Sequence, residues 1–340
     1  MTELPPQVSI GLVIWNGRQY LPACLKSVLA QKSINSEIIA IDNNSTDGSF
    51  EYLQTEFPQL KIIRNRVNRG FAGGHNQAIA LSRGRFYLAL NQDTVLEPDY
   101  LQVLISFLEK NPKAGSAQGK IKRLTNGEKT NNIDSLGLQL HTSGQVTDWG
   151  EVEDDQGQFS GILEIFGPSG TLPAYRKQAL EATALIDSSG RKEYFDEDFF
   201  AYKEDIDLAF RLRLNGWSSF CLTDAVAFHN RSVRGEGAVA RGNLAIANQR
   251  QAKSKFSRRL SFSNHHFVYL KNLPNLLRWR FWPQRTWYEI KMWGYALLKE
   301  PFLIPEMFKI CRLWPKMMRK RRQIMSRRVI TPEALARWFV

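Results

Sequence analysis

Short apolar runs alternate with amphipathic segments over the first 110 residues. The runs Val8–Ile14, Glu37–Ile41, Lys61–Arg64 and Phe86–Leu90 are mostly apolar, as strands buried in a parallel sheet are. Between them, apolar residues recur every three or four positions, as in the helix predicted from Leu21 to Leu29. This β-α-β-α series predicts a mixed, mostly parallel α/β sheet flanked by helices.

The middle of the chain has weaker periodicity. A helix is predicted from Glu97 to Asn111, whereas residues 120–160 are polar and glycine-rich and should form loops and short strands over a cleft. Gly167–Thr171 is expected to be a turn that opens another helix near Arg176.

Polar clusters follow three of the predicted strands. They are Asp42–Asp47, Asn65–Asn76 and Asn91–Asp93. Because open α/β sheets bind ligands at the carboxyl ends of their strands, we expect these loops to line one cleft. The alternative is that they are ordinary turns, since Asn and Asp favour turns. Neither a Walker loop nor a dinucleotide fingerprint is present, which narrows the kinds of nucleotide site.

An acidic run precedes a predicted helix at Glu204–Leu214. Glu204, Asp207 and Arg211 should share its polar face, with the two acids holding Arg211 or capping the helix. Asp205 falls among apolar residues, where partial burial raises a carboxyl pKa and suits a general base. An acid-capped surface helix is the alternative interpretation.

The charge of the chain is unevenly distributed. The formal net charge is +13, but from residue 249 onward there are 21 Lys and Arg against four acids. Such a segment suits binding to nucleic acid or to an anionic membrane surface.

Three widely spaced cysteines favour neither a disulfide framework nor a metal cluster, which fits a reducing cytosol. We expect no secretory signal and no membrane-spanning helix.

The motifs together resemble a known family. The chain is similar to the family 2 inverting glycosyltransferases of the GT-A fold, most closely the rhamnosyltransferase-like branch of bacterial surface polysaccharide biosynthesis. The resemblance covers about residues 7–235 and rests on residues 8–16, 42–49, 68–76, 90–93 and 195–211. It implies transfer of a sugar, with rhamnose from dTDP-rhamnose as the first candidate. The acceptor would be a hydroxyl of a glycan or a polyprenyl-diphosphate-linked glycan, attacked by direct displacement.

The resemblance also implies roles for individual residues. Asp42 would contact the pyrimidine ring of the donor. The implied donor-binding set is Ile14, Trp15, Asn16, Asp42, Asn44, Asn68, Gly70, Phe71, Gly74, Asn76, Asn91 and Gln92. Asp205 corresponds to the general base, with Glu204, Asp207 and Arg211 in support.

A divalent metal, Mg²⁺ or Mn²⁺, is implied on the donor diphosphate. Asp93 corresponds to the last acid of the family's metal motif, and His229 to a further metal ligand, although a lone histidine there is more often structural. The first acid of the motif is Asn91 in this chain. With fewer anionic ligands, the metal should bind weakly before the donor, because substrate phosphates and water supply much of its coordination.

The predicted organisation is a GT-A catalytic domain at 1–242 and a basic, aromatic helical extension at 243–340. The donor half would cover about 1–115 and the acceptor half about 116–242. Trp and Tyr beside Lys and Arg in the extension predict attachment at the inner face of the cytoplasmic membrane. Alternatively, its helices pack on the catalytic domain.

Two other functions compete with sugar transfer: a nucleic-acid-binding protein and a non-catalytic nucleotide-sugar-binding protein. Nucleic acid is not expected as a partner, since the chain before residue 249 is net acidic.

Overall fold

The computed structural model describes residues 5–31, 34–231 and 253–340. The strands are β1 Val8–Ile14, β2 Ser36–Asp42, β3 Lys61–Arg64, β4 Phe86–Asn91, β5 Thr94–Leu96, β6 Ala114–Thr125, β7 Glu128–Ser135, β8 Leu138–Leu140, β9 Val146–Asp148, β10 Ile162–Ile165, β11 Ala174–Arg176, β12 Leu185–Ile186, β13 Lys192–Glu193 and β14 Ser218–His229. The helices are α1 Leu21–Leu29, α2 Ser49–Glu56, α3 Gly70–Leu81, α4 Tyr100–Lys110, α5 Lys177–Thr183, α6 Glu204–Leu214, α7 Lys255–Asn272, α8 Asn275–Arg280, α9 Trp282–Lys299, α10 Ile304–Ser326 and α11 Pro332–Ala336.

One large mixed sheet organises the fold. Its order is β10-β14-β6-β11-β4-β1-β2-β3, with β5 added beside β14 and β7 beside β6. Strands β4, β1, β2 and β3 are parallel, as are β6 and β14, whereas β11 runs antiparallel between β4 and β6. The mixed, mostly parallel α/β prediction is therefore confirmed.

The strand order changes one expectation about the sheet edge. Strand β1 lies between β2 and β4, so Ile14 pairs with Asp42 on one side and Val13 with Asn91 on the other. The loops after β2 and β4 therefore flank the end of β1, and the loop after β3 lies beyond β2. Successive loops along the chain are not all neighbours in space.

Helices cover both faces of the sheet. Leu21 and Leu25 of α1 and Leu101 and Leu104 of α4 pack on one face, because their spacing puts them on one side of each helix. On the other face, α3, α5 and α6 bury residues such as Leu208. The helix predicted from Glu97 to Asn111 is α4, which begins three residues later, at Tyr100, and ends at Lys110.

Residues 120–160, expected to be loops and short strands, include ordered strands of the main sheet. They take in the second half of β6, which pairs with β14, and β7, which pairs with β6. The turn Gly167–Thr171 leads first into β11 and only then into α5. Strand β6 has no clear apolar-polar alternation because polar residues on it face other polar groups, as Lys120 and Lys122 do toward Asp155.

The described part of the basic extension packs on the catalytic domain. Phe267, Leu273 and Met317 share a hydrophobic core with Phe166 and Phe210 of the preceding segment. The predicted domain boundary at residue 242 lies outside the described residues. None of the described helices combines the length and apolarity needed to cross a membrane.

Candidate active site

A cleft of about 610 Å³ opens beside the sheet edge. Six predicted site residues line it, drawn from the end of β4, the start of α3, the start of α6 and the end of β14. They are Phe71, Asn91, Asp93, Glu204, Asp205 and His229. We call Asn91, Asp93, His229 and its partner Asp134 the His229 side. We call Gly170, Glu204, Asp205, Ser257 and Ser261 the Asp205 side.

Asp205 is half-buried in the first turn of α6. Its Oδ2 accepts a hydrogen bond from the N–H of Gly170 at 2.9 Å, and its Oδ1 accepts one from the N–H of Ile206 at 2.8 Å. Burial raises the pKa of Asp205, and these two hydrogen bonds oppose the shift. Asp205 thus combines a fixed orientation with a strengthened affinity for a proton.

Glu204 has a different environment from the one predicted. It is buried against the cleft, and its Oε2 has no hydrogen-bond partner among the described residues. Burial, helped by the neighbouring Asp205 carboxylate, raises the pKa of Glu204 to about 8. Glu204 does not hold Arg211, which is contacted by Asp207 at 3.0 Å one helical turn away. Glu204 precedes Arg211 by seven residues, which places the two about 10 Å apart along the axis of α6, whereas Asp207 is only one turn from Arg211.

Basic residues of the extension neutralise the acidic run. The Lys271 ammonium contacts Asp207 at 2.8 Å and also pairs with Asp196. Lys320 lies within 2.8 Å of Glu193 and Asp198 and contacts Asp196 as well. Burial opposes the charged form, but these three carboxylates raise the pKa of Lys320. The segment before Asp205 is therefore held by buried ion pairs to α7 and α10.

On the His229 side, a histidine lies between two carboxylates. The Nδ1 atom of His229 is 2.8 Å from Oδ2 of Asp134, and its Nε2 atom is 3.4 Å from Oδ1 of Asp93. Strand pairing fixes this arrangement, because His229 of β14 lies opposite Thr94 of β5. Burial disfavours the charged ring, but Asp93 and Asp134 raise the pKa of His229 to about 10. This point of the cleft favours positive charge.

The geometry fits a weakly held divalent cation. Without a metal, the two carboxylates favour a protonated His229 ring, and a bound cation would replace the Nε2 proton. With Nδ1–H donating to Asp134, the Nε2 atom faces Asp93, which is the arrangement of a carboxylate-oriented metal histidine. Asp93 Oδ1 and His229 Nε2 could then share one ion. Among the described residues, no group of three or more His, Cys, Asp or Glu side chains could hold a metal. Further ligands would have to come from substrate and water.

The residues predicted to surround the nucleotide lie around the end of β1, outside the cleft lining except for Asn91 and Phe71. Asp42 is fully buried and accepts from the N–H of Ser45 at 3.3 Å. Gln92 and Trp15 exchange two 3.1 Å hydrogen bonds, which leaves the Trp15 ring half-exposed. Asn16 accepts from Thr46, at 2.9 Å. Ile14 is buried beside Asp42, and Asn44 is exposed with positive φ.

The glycines at the start of α3, Gly70 and Gly74, have packing roles that the sequence did not reveal. Gly70 has a φ of +70°, and a Cβ there would lie 2.3 Å from the Phe200 carbonyl oxygen. A Cβ on Gly74 would lie 2.7 Å from Val13. The N–H of Gly70 donates to Asn68 and that of Ala72 to Phe200, so part of the helix start is already occupied. These glycines allow close packing against protein.

Asn76 lies away from the cleft. Its Nδ2 donates to the Phe195 carbonyl at 2.8 Å, and its Oδ1 accepts from the N–H groups of Tyr194 and Phe195. A buried amide with these partners fixes the 194–197 loop and offers little to a ligand.

Several cleft residues were missed by sequence reasoning. They are Arg123, Asp148, Glu151, Ser169, Gly170, Thr171, Arg231, Ser257 and Ser261, with Asp134 behind His229. Arg231 contacts Asp148 at 2.9 Å and belongs to the same charge network as Asp134. The one available signal was the spacing of Arg231, two residues after His229. Asp134 and Gly170 lie in segments without periodicity.

Comparisons with known proteins agree with this architecture. The sequence matches the model of Glycosyl transferase family 2 over residues 9–183. It is 31% identical over 105 residues to the UDP-Glc:alpha-D-GlcNAc-diphosphoundecaprenol beta-1,3-glucosyltransferase WfgD of Escherichia coli, covering 31% of this chain and 42% of that protein. It is 27% identical over 210 residues to the poly-beta-1,6-N-acetyl-D-glucosamine synthase of Staphylococcus epidermidis, covering 61% of this chain and 46% of that one.

A solved structure shows the same fold. The crystal structure of GalNAc-T7 with UDP, GalNAc and Mn²⁺ matches with a TM-score of 0.55 at 15% identity, covering 87% of this chain and 58% of the other. Each sequence alignment above spans less than half of the relative. Since the family match covers just over half of this chain, and the GT-A-like sheet carries the cleft at its edge, the chain belongs to glycosyl transferase family 2.

Proposed function

We propose that the protein transfers a sugar from a nucleotide-sugar donor to an acceptor hydroxyl, with Asp205 as general base. The observation that carries the proposal is the composition of the cleft. A half-buried carboxylate with a raised pKa and a His-carboxylate pair that favours positive charge line the same cavity. A direct displacement on a sugar needs a proton acceptor for the nucleophile and positive charge near the leaving diphosphate.

The proton acceptor is Asp205. The N–H of Gly170 and the N–H of Ile206 orient its carboxylate, so a free lone pair can accept the proton of the incoming hydroxyl. The raised pKa makes the carboxylate a stronger base than an exposed aspartate. Glu204, buried beside it, favours a protonated state near neutral pH and so avoids a second negative charge next to the base.

Asp93 and His229 would hold a divalent cation, Mg²⁺ or Mn²⁺, with Asn91 beside them. When bound, such an ion offsets negative charge on the leaving diphosphate. Asp134 orients His229 through its Nδ1 atom. Trp15 after β1, Asp42 at the end of β2 and Gln92 after β4 are proposed to border the nucleotide.

Rhamnose from dTDP-rhamnose remains our first candidate donor, on the strength of the sequence motifs. A lipid-linked glycan is the candidate acceptor, and it is supported by the Escherichia coli relative WfgD, a glucosyltransferase for a diphosphoundecaprenol-linked sugar. The retention of both Asp93 and Asp205 in one cleft favours transfer over simple nucleotide-sugar binding.

A donor screen tests the proposal. The protein is incubated with dTDP-rhamnose, UDP-hexoses and GDP-sugars, each with Mn²⁺ or with excess EDTA, and a lipid-diphosphate-linked sugar as acceptor. We expect nucleoside diphosphate release and glycan extension with one donor class, abolished by EDTA. Full turnover in EDTA would contradict the metal assignment. Donor binding without any transfer by the wild-type chain would contradict the enzymatic proposal.

A further inference from the structure

The helices α8 and α9 expose large apolar side chains that no described residue covers. Trp279 is 75% exposed and Leu298 is 81% exposed. We define the α9 surface by its exposed apolar members Trp279, Trp282, Trp287, Ile290, Leu297 and Leu298. On α9, Ile290, Leu297 and Leu298 follow Trp287 by three, ten and eleven residues, and these spacings put all four on one side of a helix.

The charged residues of this region are also divided by sign: basic side chains are exposed beside the apolar ones, whereas the acids point into the protein. The exposed charged residues of α8 and α9 include Arg280, Lys291 and Lys299. Glu289, the acid within α9, turns inward and contacts His265 at 3.0 Å and His266 at 3.1 Å. Glu300, immediately after α9, is buried against Arg258 at 2.9 Å. The outward face of this region is therefore apolar and cationic, with its acids directed into the protein.

We infer that the α9 surface docks on an anionic lipid bilayer, with α9 lying in the plane of the headgroups. Exposed Trp and Leu beside Lys and Arg are the composition of interfacial helices, because the apolar face enters the acyl boundary while the cations meet lipid phosphates. At 18 residues, α9 is about 27 Å long. It does not qualify as a membrane span.

Charge favours lipid over a second copy of this chain. In a two-fold interface the same patch meets itself. Lys291 of one copy would then face a surface that carries cations and whose own acid, Glu289, is engaged inside the protein. An anionic bilayer supplies the missing negative charge. The inference rests on this surface alone and is independent of the proposed sugar transfer.

Vesicle co-sedimentation of the full chain tests it. Vesicles of phosphatidylcholine with about a third phosphatidylglycerol are compared with pure phosphatidylcholine. We expect clear binding to the anionic vesicles that weakens as salt is added, because salt screens the cations. The double variant Trp287→Ser/Leu298→Ser should bind at least about ten-fold more weakly, since two large side chains leave the acyl boundary. Lys291→Gln and Lys299→Gln should each cost about five-fold at low salt.

Matched variants separate docking from folding. The conservative double variant Trp287→Phe/Leu298→Ile keeps both side chains apolar and should bind the anionic vesicles about as well as wild type does. Ile162→Ser removes an equally exposed apolar side chain from the edge strand β10 and should bind like wild type. Equal binding to neutral and anionic vesicles, or no effect of the serine pair, would overturn the inference. So would a dimer that the serine pair dissociates, because that result would show that a second copy covers the surface.

Discussion

The His229 side and the Asp205 side of the cleft are built in different ways. The His229 side is held by strand pairing: β5 lies beside the end of β14, and this register brings Asp93 to His229. The Asp205 side combines a loop at Gly170, the start of α6 and the first turns of α7. Strands hold one side, whereas the other depends on the start of α6 and on α7.

The Asp205 side is supported by two lysines of the basic extension. Its lysines are not all solvated, because Lys271 and Lys320 are buried against the acidic segment that leads to Asp205. Removing one partner of a buried ion pair leaves the other charged and desolvated, which is costly. Substitutions in the extension should therefore disrupt the Asp205 side. The His229 side should instead be disrupted by substitutions of the residues that contact His229.

The largest effect should come from Lys320→Met. We expect the free energy of unfolding to fall by about 3–5 kcal/mol, because Glu193, Asp196 and Asp198 lose a buried cation. Urea denaturation measures this. Lys316→Met is the matched control one turn earlier: its side chain is 38% exposed and pairs with Asp198, so it should cost less than about 1 kcal/mol. Equal losses in the two variants would contradict the buried-charge account.

On the His229 side, Asp134→Asn should weaken metal binding about 10- to 100-fold, because a charged partner that orients a metal histidine is replaced by a neutral one. Mn²⁺ binding is followed by electron paramagnetic resonance with the nucleoside diphosphate that the donor screen selects. Asp154→Asn, on an exposed neighbouring position, serves as the control. Unchanged Mn²⁺ affinity in Asp134→Asn would show that Asp134 does not orient a ligand.

A smaller effect is expected from Glu204→Gln. The folded protein raises the pKa of Glu204 from an ordinary 4.5 to about 8, so it retains a proton that the unfolded chain releases. Stability should therefore fall as pH rises between those values. Glu204→Gln should reduce that slope, to which Asp148 and Asp205 also contribute because burial raises the pKa of each. The variant should gain about 1–3 kcal/mol at the alkaline end, measured by urea unfolding across the window.

The control for this pH experiment is Asp224→Asn, at an exposed position of β14. It should keep the wild-type slope. If the Glu204→Gln variant also keeps that slope, Glu204 ionises normally, and the contrast between a buried acid on the Asp205 side and an exposed one is wrong.

The parts of the fold that were predictable are those whose periodicity is local. Val8–Ile14 and Phe86–Leu90 are apolar because they are buried, so both appear as strands in sequence and structure. The pairing of Asp134 with His229 joins residues 95 positions apart and leaves no periodic trace. The burial of Lys320 is equally hidden, since a lysine in a basic helix looks solvated until its three acidic partners are placed in space.

The functional roles of individual residues were likewise predictable where the signal is local and hidden where it depends on distant contacts. Asp205 could be proposed as a base from its position among apolar residues, and the structure agrees in the direction of its pKa. Of the two roles predicted for Glu204, contact with Arg211 is not observed, because seven residues place the two side chains two helical turns apart and Asp207 holds the guanidinium instead. Asn76 looked like part of a ligand loop, yet its amide is engaged with the 194–197 loop.

The most direct test of the proposed mechanism compares Asp205→Asn with wild type in two measurements, the rate of sugar transfer and the affinity for the donor. If Asp205 is the base, transfer should fall by about 10²- to 10⁴-fold while donor affinity stays within about two-fold, because the proton acceptor is lost and the nucleotide contacts are not. A large loss of donor affinity with only a modest change in rate would contradict the assignment.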